Sequence, residues 1–210
     1  MPKLHYFEVY GKAEFIRIAL WYLGVQYENV YHAGEDWLAF KPTTEFGQLP
    51  VLELDDGTQL AQSMSIFNYV CDIYGKNKEG FCPTDPLANY NGECTTAVLA
   101  DDFVNKHVIP AWYMPDGEEK TKKWQTILTV EWPKTVGFLQ KRVPSEGFLC
   151  GGTFTKWDIL FSVFFLNVIR NKNFKNQEVV TAMWAATPEN VQGYVNRVEE
   201  HLKEYLETRP

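Results

Sequence analysis

Three short segments in the first third of the chain carry residue types suited to holding a small polar ligand. The first is Glu45-Phe46-Gly47-Gln48-Leu49-Pro50-Val51, a loop that runs into proline immediately before an apolar strand. Proline lacks an N–H, so it suits the start of a strand better than its interior, and a tight entry there invites a cis peptide bond. A cis bond would turn the Leu49 backbone outward, leaving its N–H and C=O to pair with an extended ligand as an added strand does. A plain loop ending in proline is the other reading. The second segment is Leu60-Ala61-Gln62-Ser63-Met64-Ser65-Ile66, where a strand end passes directly into a helix. Ser63 suits the helix N-cap, and the N–H groups of a first turn favour an anion such as a carboxylate, with Gln62 adding an amide. Simple capping would use the same residues. The third is His5-Tyr6-Phe7-Glu8-Val9-Tyr10-Gly11-Lys12-Ala13-Glu14, which joins the first strand to the first helix, where open α/β sheets present their ligand crevices. Residues 6–17 contain no Cys, Ser or Thr, so a side-chain donor to a bound sulfur from this loop must be a tyrosine or a cation. The competing reading of Tyr6 is a core tyrosine with its hydroxyl satisfied.

The elements that must position these segments follow two patterns. Residues 3–7 form a short β-prone run, and residues 14–23 show helical spacing with Phe15, Ile18, Ala19 and Tyr22 on one side and Gly24 at the C-cap. Residues 27–31 return to alternation, which predicts a βαβ unit. Residues 51–54 and 58–60 flank Asp55-Asp56-Gly57, a hairpin signal because Asp-Gly supplies the positive φ of a tight turn. Residues 63–74 are again helical, with Ile66, Phe67, Val70 and Ile73 on one face, so the first half reads βαβ, loop, ββα. A polar stretch over residues 76–86 reads as a linker between a first domain of residues 1–75 and an all-helical domain of residues 87–210. Long helices are expected over residues 87–107 and 120–142, with Pro133 starting, kinking or interrupting the second, and further helices over 151–171 and 188–206. Thr187-Pro188-Glu189 reads as a helix start with a hydroxyl cap and proline at the first helical position.

Composition narrows the function classes. The chain has 210 residues with 45% hydrophobic and 22% charged, an ordinary globular balance with length enough for a sizeable core. A formal net charge of −7 with scattered lysines argues against nucleic-acid binding. No run approaches a membrane span, since the apolar stretch 159–169 is broken by Ser162 and Asn167. The N-terminus has one early lysine, Lys3, and no apolar signal core, which points to the cytoplasm. The cysteines Cys71, Cys82, Cys94 and Cys150 form no CxxC pair, so neither a zinc ribbon nor a dithiol redox motif is expected, and no metal site.

Taken together, the motifs resemble the cytosolic glutathione transferases, most nearly the sigma class that includes haematopoietic-type prostaglandin D synthases. Tyr6-Phe7, Gly11-Lys12-Ala13-Glu14, Ile16-Arg17 and Gln26-Tyr27-Glu28 carry the resemblance in order. Glu35-Asp36-Trp37, Phe40-Lys41-Pro42, Phe46-Gly47-Gln48-Leu49-Pro50 and Gln62-Ser63 continue it. In the helical half, Asp101-Asp102-Phe103 and the stretch from Gly151 to Asp158 extend it, the latter with Thr155 and Asp158 as a structural capping box. The resemblance implies a thioredoxin-like α/β N-terminal domain (βαβ-ββα) followed by an all-α C-terminal domain.

It also implies a reaction. Tyr6 would donate its phenolic proton to the glutathione thiolate. The γ-glutamyl carboxylate would sit on Gln62 and Ser63, the cysteinyl backbone on Leu49 before cis-Pro50, and the glycyl end near Trp37 and Lys41 with Gln48 nearby. Lys12 is the turn cation, a lysine where the family carries arginine, so it keeps charge and loses the planar fork. Asp102 would reach the neighbouring subunit's glutathione, which implies a homodimer. Small apolar electrophiles would be held by Val9, Tyr10, Trp112 and the helix from Thr155. Tyr10 stands where the family often has arginine and offers a second candidate hydroxyl. Glutathione is the co-substrate, and no cofactor is expected. The apolar stretch 159–165 favours general detoxification or peroxide reduction over prostaglandin isomerisation. A non-enzymatic protein of the same fold, ligand-binding or crystallin-like, is the alternative. A glutaredoxin-type reductase would need a cysteine at the first helix, where there is none.

Overall fold

The computed structural model describes residues 1–209, so the last residue of the expected helical domain lies outside the described residues. The chain forms two compact units, Met1–Cys82 and the remainder from Pro83.

The first unit is built on a four-stranded sheet. Strand β1 (Lys3–Tyr6) pairs in parallel with β2 (Glu28–Tyr31), Lys3 opposite Glu28 and Tyr6 opposite Tyr31. Its other edge pairs antiparallel with β3 (Val51–Glu53), which pairs in turn with β4 (Gln59–Ala61), giving the order β2-β1-β3-β4. The parallel β1/β2 pair needs a crossover, and helix α1 (Glu14–Tyr22) supplies it. That helix ends because Gly24 takes φ +70, and the Gly24 and Val25 N–H groups return to the carbonyls of Trp21 and Leu20. The hairpin between β3 and β4 turns at Gly57, with φ +84, and the Asp56 carboxylate accepts from the Thr58 N–H at 2.9 Å. Helix α3 (Ser63–Tyr74) packs with α1 on the sheet, and Leu4, Ile16, Ile18, Leu20, Leu52, Ile66, Phe67 and Val70 lose all solvent contact. Each such side chain contributes roughly 1.5–3 kcal/mol on burial.

One element of this unit is absent from the sequence reading. Helix α2 (Gly34–Phe40) and a 3₁₀ turn over Lys41–Thr43 occupy the stretch expected to be loop, so the order is βαβαββα. No residue of α2 is buried, so no apolar face announced it.

The second unit is helical among its described residues. It runs through α4 (Pro86–Leu99), α5 (Ile109–Tyr113), α6 (Glu118–Thr126), α7 (Trp132–Leu139), α8 (Lys156–Phe164), α9 (Gln177–Ala185), α10 (Glu189–His201) and α11 (Lys203–Thr208). Helix α4 starts where Asp85 accepts from the Ala88 N–H at 2.7 Å and Pro86 fills the first helical position. The two expected long helices are interrupted by π-helical stretches, Ala100–Val108 between α4 and α5 and Ile127–Glu131 between α6 and α7. The second stretch ends at Glu131, with Trp132 between it and Pro133, a residue that cannot donate an intrahelical bond. Trp132 is fully buried among Phe103, Phe164 and Phe165, and its indole N–H donates to the Met183 carbonyl at 2.7 Å.

Two local expectations need correction. Helix α9 was not read, because residues 177–185 bury only Val180 and Met183. Helix α10 starts at Glu189 with Pro188 as its cap residue, and the Thr187 hydroxyl donates instead to the Met183 carbonyl at 2.8 Å. The hydroxyl is taken by the end of the preceding helix, which leaves α10 without a side-chain cap.

The Thr155/Asp158 capping box forms at the start of α8. Asp158 is fully buried; it accepts from the Thr155 N–H and hydroxyl at 2.7 Å each, from the Leu149 N–H at 2.8 Å, and from the Tyr194 hydroxyl. Burial pushes its pKa up, against those hydrogen bonds, which pull it down. Removing the carboxylate strands several buried donors at once. Asp158→Ala is expected to lower stability by about 3 kcal/mol or more, read by chemical denaturation followed by circular dichroism.

Candidate functional site

The three sequence segments converge in the first unit. Lys12, Phe46, Gln48, Leu49, Pro50, Ala61, Gln62 and Ser63 line one open cleft. The cis peptide bond expected at Leu49-Pro50 is present, and no described residue pairs with the Leu49 backbone N–H or C=O. Pro50 is buried at the entry to β3, so the loop before it is held against the sheet while Gln48 stays exposed.

Across the cleft, Gln62 has φ +68 and ψ 112, making it the sole non-glycine residue with positive φ among the described residues. A bulky residue in that conformation carries a steric cost, and such positions gather at ligand sites. The strain places Gln62 at the cap position of α3 and Ser63 at its first residue, a correction to the expected Ser63 cap. The Gln62 side chain makes no capping bond; its amide donates to the Gln48 Oε1 at 3.4 Å. No side chain caps the first turn of this twelve-residue helix, whose first residue, Ser63, lines the cleft, so its leading N–H groups carry their partial positive charge without a side-chain acceptor.

Tyr6 ends β1 and is 8% exposed. Its hydroxyl oxygen accepts the backbone N–H of Lys12 at 3.0 Å. Gly11 makes that approach possible. It sits at φ +45, and a Cβ there would lie 2.5 Å from the Tyr6 hydroxyl oxygen. A backbone N–H donated to a phenol oxygen draws electron density from it and strengthens the phenol as a donor to a neighbouring anion.

The remaining expected residues are dispersed. Trp37 lies on α2, its ring edge-on to Phe7 at 5.6 Å, and Lys41 follows the same helix with its Cε beneath Gly47. Both sit on α2 and the turn after it, and that segment rests on a stack of rings. Phe40 lies parallel to His5 at 4.6 Å and to His32 at 4.3 Å, while His5 Nδ1 and His32 Nε2 are 2.9 Å apart. Burial lowers the pKa of both histidines, and His32 lowers that of His5 further; Glu53 at 3.7 Å from His5 opposes this weakly. Val9 is exposed and Tyr10 partly so, on the loop between β1 and α1. Asp102 is exposed on the Ala100–Val108 stretch of the second unit, and Trp112 is half exposed at the end of α5, packed on Phe174 at 4.9 Å. The histidine pair and the α2 ring stack were missed in the sequence, where His5 and His32 stand 27 positions apart.

Residues 2–72 match the family model for the glutathione S-transferase N-terminal domain, and residues 101–209 match that for its C-terminal domain. The chain belongs to the glutathione S-transferase family. It is 30% identical to a probable glutathione S-transferase 8 of Caenorhabditis elegans, over 99% of this chain and 96% of that one. It is also 30% identical to the hematopoietic prostaglandin D synthase of Mus musculus, over 75% and 76% of the two chains. Among solved structures, monomeric Na-GST-3, a glutathione S-transferase of Necator americanus, superposes with a TM-score of 0.78 at 25% identity, covering 100% of this chain and 97% of that one. The chain is a glutathione transferase with the thioredoxin-like first unit and helical second unit of its family. The relatives are named as enzymes, in line with the transferase expectation over the crystallin-like one. Among the described residues no cluster of His, Cys, Asp or Glu is placed to hold a metal ion, and no helix is long and apolar enough to cross a membrane.

Two outcomes follow from this geometry. Gly11→Ala is expected to push the Tyr6 hydroxyl off the Lys12 N–H and reduce glutathione conjugation about tenfold or more, measured by steady-state kinetics. The histidine pair sets a pH dependence. Above pH 6.5, the ordinary histidine value, both rings are neutral whether the chain is folded or not. As pH falls through that value the unfolded chain takes up protons that the folded pair resists, so stability drops and then levels off once the folded pair protonates. Denaturation midpoints should fall with pH in this window, and a His5→Gln/His32→Gln variant should show a shallower slope.

Proposed function

We propose that this transferase binds glutathione in the cleft lined by Lys12, Gln48, Leu49, Pro50, Gln62 and Ser63, with Tyr6 as the hydrogen-bond donor to the thiolate. The observation that carries the reading is the 3.0 Å bond from the Lys12 N–H to the Tyr6 hydroxyl oxygen, made by a residue that itself lines the cleft. Glutathione is an extended tripeptide with a carboxylate at each end. Its cysteinyl unit suits the unpaired Leu49 backbone, as a short added strand. Its γ-glutamyl carboxylate suits the Ser63 hydroxyl and the first N–H groups of α3, with the Gln62 amide beside them. The glycyl carboxylate is assigned to Lys41 and Trp37, with Gln48 nearby.

A cysteine thiol ordinarily ionises at about pH 8.5, and one pH unit corresponds to about 1.4 kcal/mol. A hydrogen bond to a charged acceptor supplies roughly 1.5–3 kcal/mol, enough to make the thiolate the main species near neutral pH. The thiolate then attacks the electrophilic carbon of the second substrate, forming a carbon–sulfur bond as the leaving group departs with the electron pair. Val9 and Tyr10 are proposed as contacts for that substrate. The support for them is exposure together with the family resemblance.

The reading extends to a cytoplasmic, sigma-class-like enzyme of detoxification with no cofactor beyond its co-substrate. The sigma-class part of that reading is supported by the likeness to hematopoietic prostaglandin D synthases over three quarters of the chain; the rest is carried by the family resemblance of the motifs. A homodimer, with Asp102 of one subunit reaching the other's glutathione, is part of the same proposal. The Necator americanus relative is monomeric, and sedimentation of this protein tests the dimer: a species of twice the chain mass supports it and a single-chain species overturns it.

The deciding experiment is turnover of glutathione with a generic aromatic electrophile in wild type and Tyr6→Phe. The expected result is robust wild-type conjugation that falls tenfold or more in the variant while glutathione affinity is retained. Undiminished activity in Tyr6→Phe would move the role to Tyr10 or Lys12.

A further inference from the structure

Arg17 is the second largest fully buried side chain among the described residues, at 1% exposure, and its partners are unusual for a core position. Its Nη1 donates to the backbone carbonyls of Val9 at 3.1 Å and Tyr10 at 3.3 Å, and to the Glu14 carboxylate at 3.2 Å. Its Nε donates to the Asn29 Oδ1 at 2.9 Å, and Nη2 has no hydrogen-bond partner among the described residues. The guanidinium carbon lies 5.8 Å from the centre of the Tyr6 ring. Glu14 is fully buried as well, so the pair contributes little net stability for the desolvation it requires.

The two carbonyls held by Arg17 belong to the residues just before Gly11 and Lys12, the turn that delivers the Lys12 N–H to the Tyr6 oxygen. That turn is otherwise exposed, with Val9, Gly11 and Lys12 open to solvent and Gly11 free to adopt many conformations. A rigid fork anchored at one end by Asn29 on β2 and at the other by two loop carbonyls removes that freedom. A lysine could offer the charge without spanning both anchors.

We infer that Arg17 is a positioning residue for the reaction: it clamps residues 9–12 so that the Lys12 N–H stays on the Tyr6 oxygen, while Glu14 offsets its charge. The inference rests on the reading of Tyr6 as the donor to the thiolate. The clamp acts through Tyr6 and leaves the carboxylate-binding side of the cleft untouched. Loss of Arg17 therefore alters how readily the bound thiol ionises far more than how tightly the rest of glutathione is held.

The test uses Arg17→Lys, Tyr6→Phe, and the double variant. The measurements are the pH at which bound glutathione ionises, followed by thiolate ultraviolet absorbance, the pH profile of kcat/KM, and affinity for S-methylglutathione, which has no thiol. In Arg17→Lys the bound thiol should ionise about one pH unit higher than in wild type, with kcat/KM near neutral pH down about tenfold and recovering at higher pH. Affinity for S-methylglutathione should change by less than about threefold, and in the Tyr6→Phe background the Arg17 substitution should have no further effect on the thiol. An equal loss in S-methylglutathione affinity with the ionisation pH unmoved, or an undiminished Arg17 effect in Tyr6→Phe, overturns the inference. Should Arg17→Lys not fold, Asn29→Ala releases one anchor of the fork and keeps the charge; it should move the thiol in the same direction by a smaller amount, and no movement counts against the clamp. Failure of the Tyr6 reading is told apart by ligand-free protein. If Tyr6→Phe leaves the bound thiol unchanged, the ultraviolet titration of the Tyr6 phenol in wild type and Arg17→Lys still decides: an upward displacement in the variant supports the clamp, and coincidence of the two curves refutes it.

Discussion

The chemistry proposed for this transferase depends on a phenol oxygen lying 3.0 Å from a backbone N–H, in a space that one methyl group would fill. Tyr6 stands at the end of a central strand, where the sheet fixes its Cα. For the contact to form, the turn above it has to leave room for the phenol. Gly11 does so by lacking a side chain and by adopting a positive φ, and the rest of the loop follows from what holds Gly11 in place. Buried, charge-paired Arg17 reaching loop carbonyls makes sense only in that context, because an apolar side chain of similar volume would satisfy the core with less desolvation.

The opposite wall of the cleft solves a different problem. The tripeptide proposed as ligand offers backbone groups in its middle and carboxylates at its ends, so it would need unpaired backbone on one side and N–H donors on the other. On that proposal, the cis bond before Pro50 and the strained backbone of Gln62 would supply these within a few residues of two adjacent antiparallel strands. Neither feature helps the sheet itself; each leaves polar backbone turned outward at a strand terminus. Their rigidity comes from β3 and from α3, whose Ile66, Phe67 and Val70 are locked against α1. In the second unit the same logic serves structure alone. Asp158 gathers donors from Thr155, Leu149 and Tyr194 into one buried carboxylate, tying the start of α8 to α10 and to the segment before it.

Much of the fold was legible because its core elements are amphipathic and its turns carry diagnostic residues. The strands β1 and β2, the hairpin through Asp56-Gly57, and the helices α1 and α3 all follow from periodicity and punctuation within a few residues. The elements that escaped are those without a buried face, α2 above all, and α9 with two buried side chains. Cap assignments failed at Ser63 and Thr187 for different reasons. At α3 the positive φ of Gln62 puts that residue in the cap position, one before Ser63, whereas the Thr187 hydroxyl bonds the Met183 carbonyl of the preceding helix instead of capping the next.

By itself the sequence determined the two-part architecture, the identity of the family through ordered motifs, and the small set of residues able to meet a thiol or a carboxylate. Those are properties of residue type and spacing, and they survive any local adjustment of the chain. Tertiary structure decided the rest: that the Tyr6 oxygen takes the Lys12 N–H, that Gln62 bears the strained conformation, that His5 and His32 stack on Phe40 beneath Trp37 and Lys41, and that Arg17 turns inward to grip the loop. Apart from the backbone angle of Gln62, each of these joins residues from different elements at a separation of a few ångströms. Hydrogen bonds and ring contacts are that short-ranged, so they exist only once the sheet has set the distance.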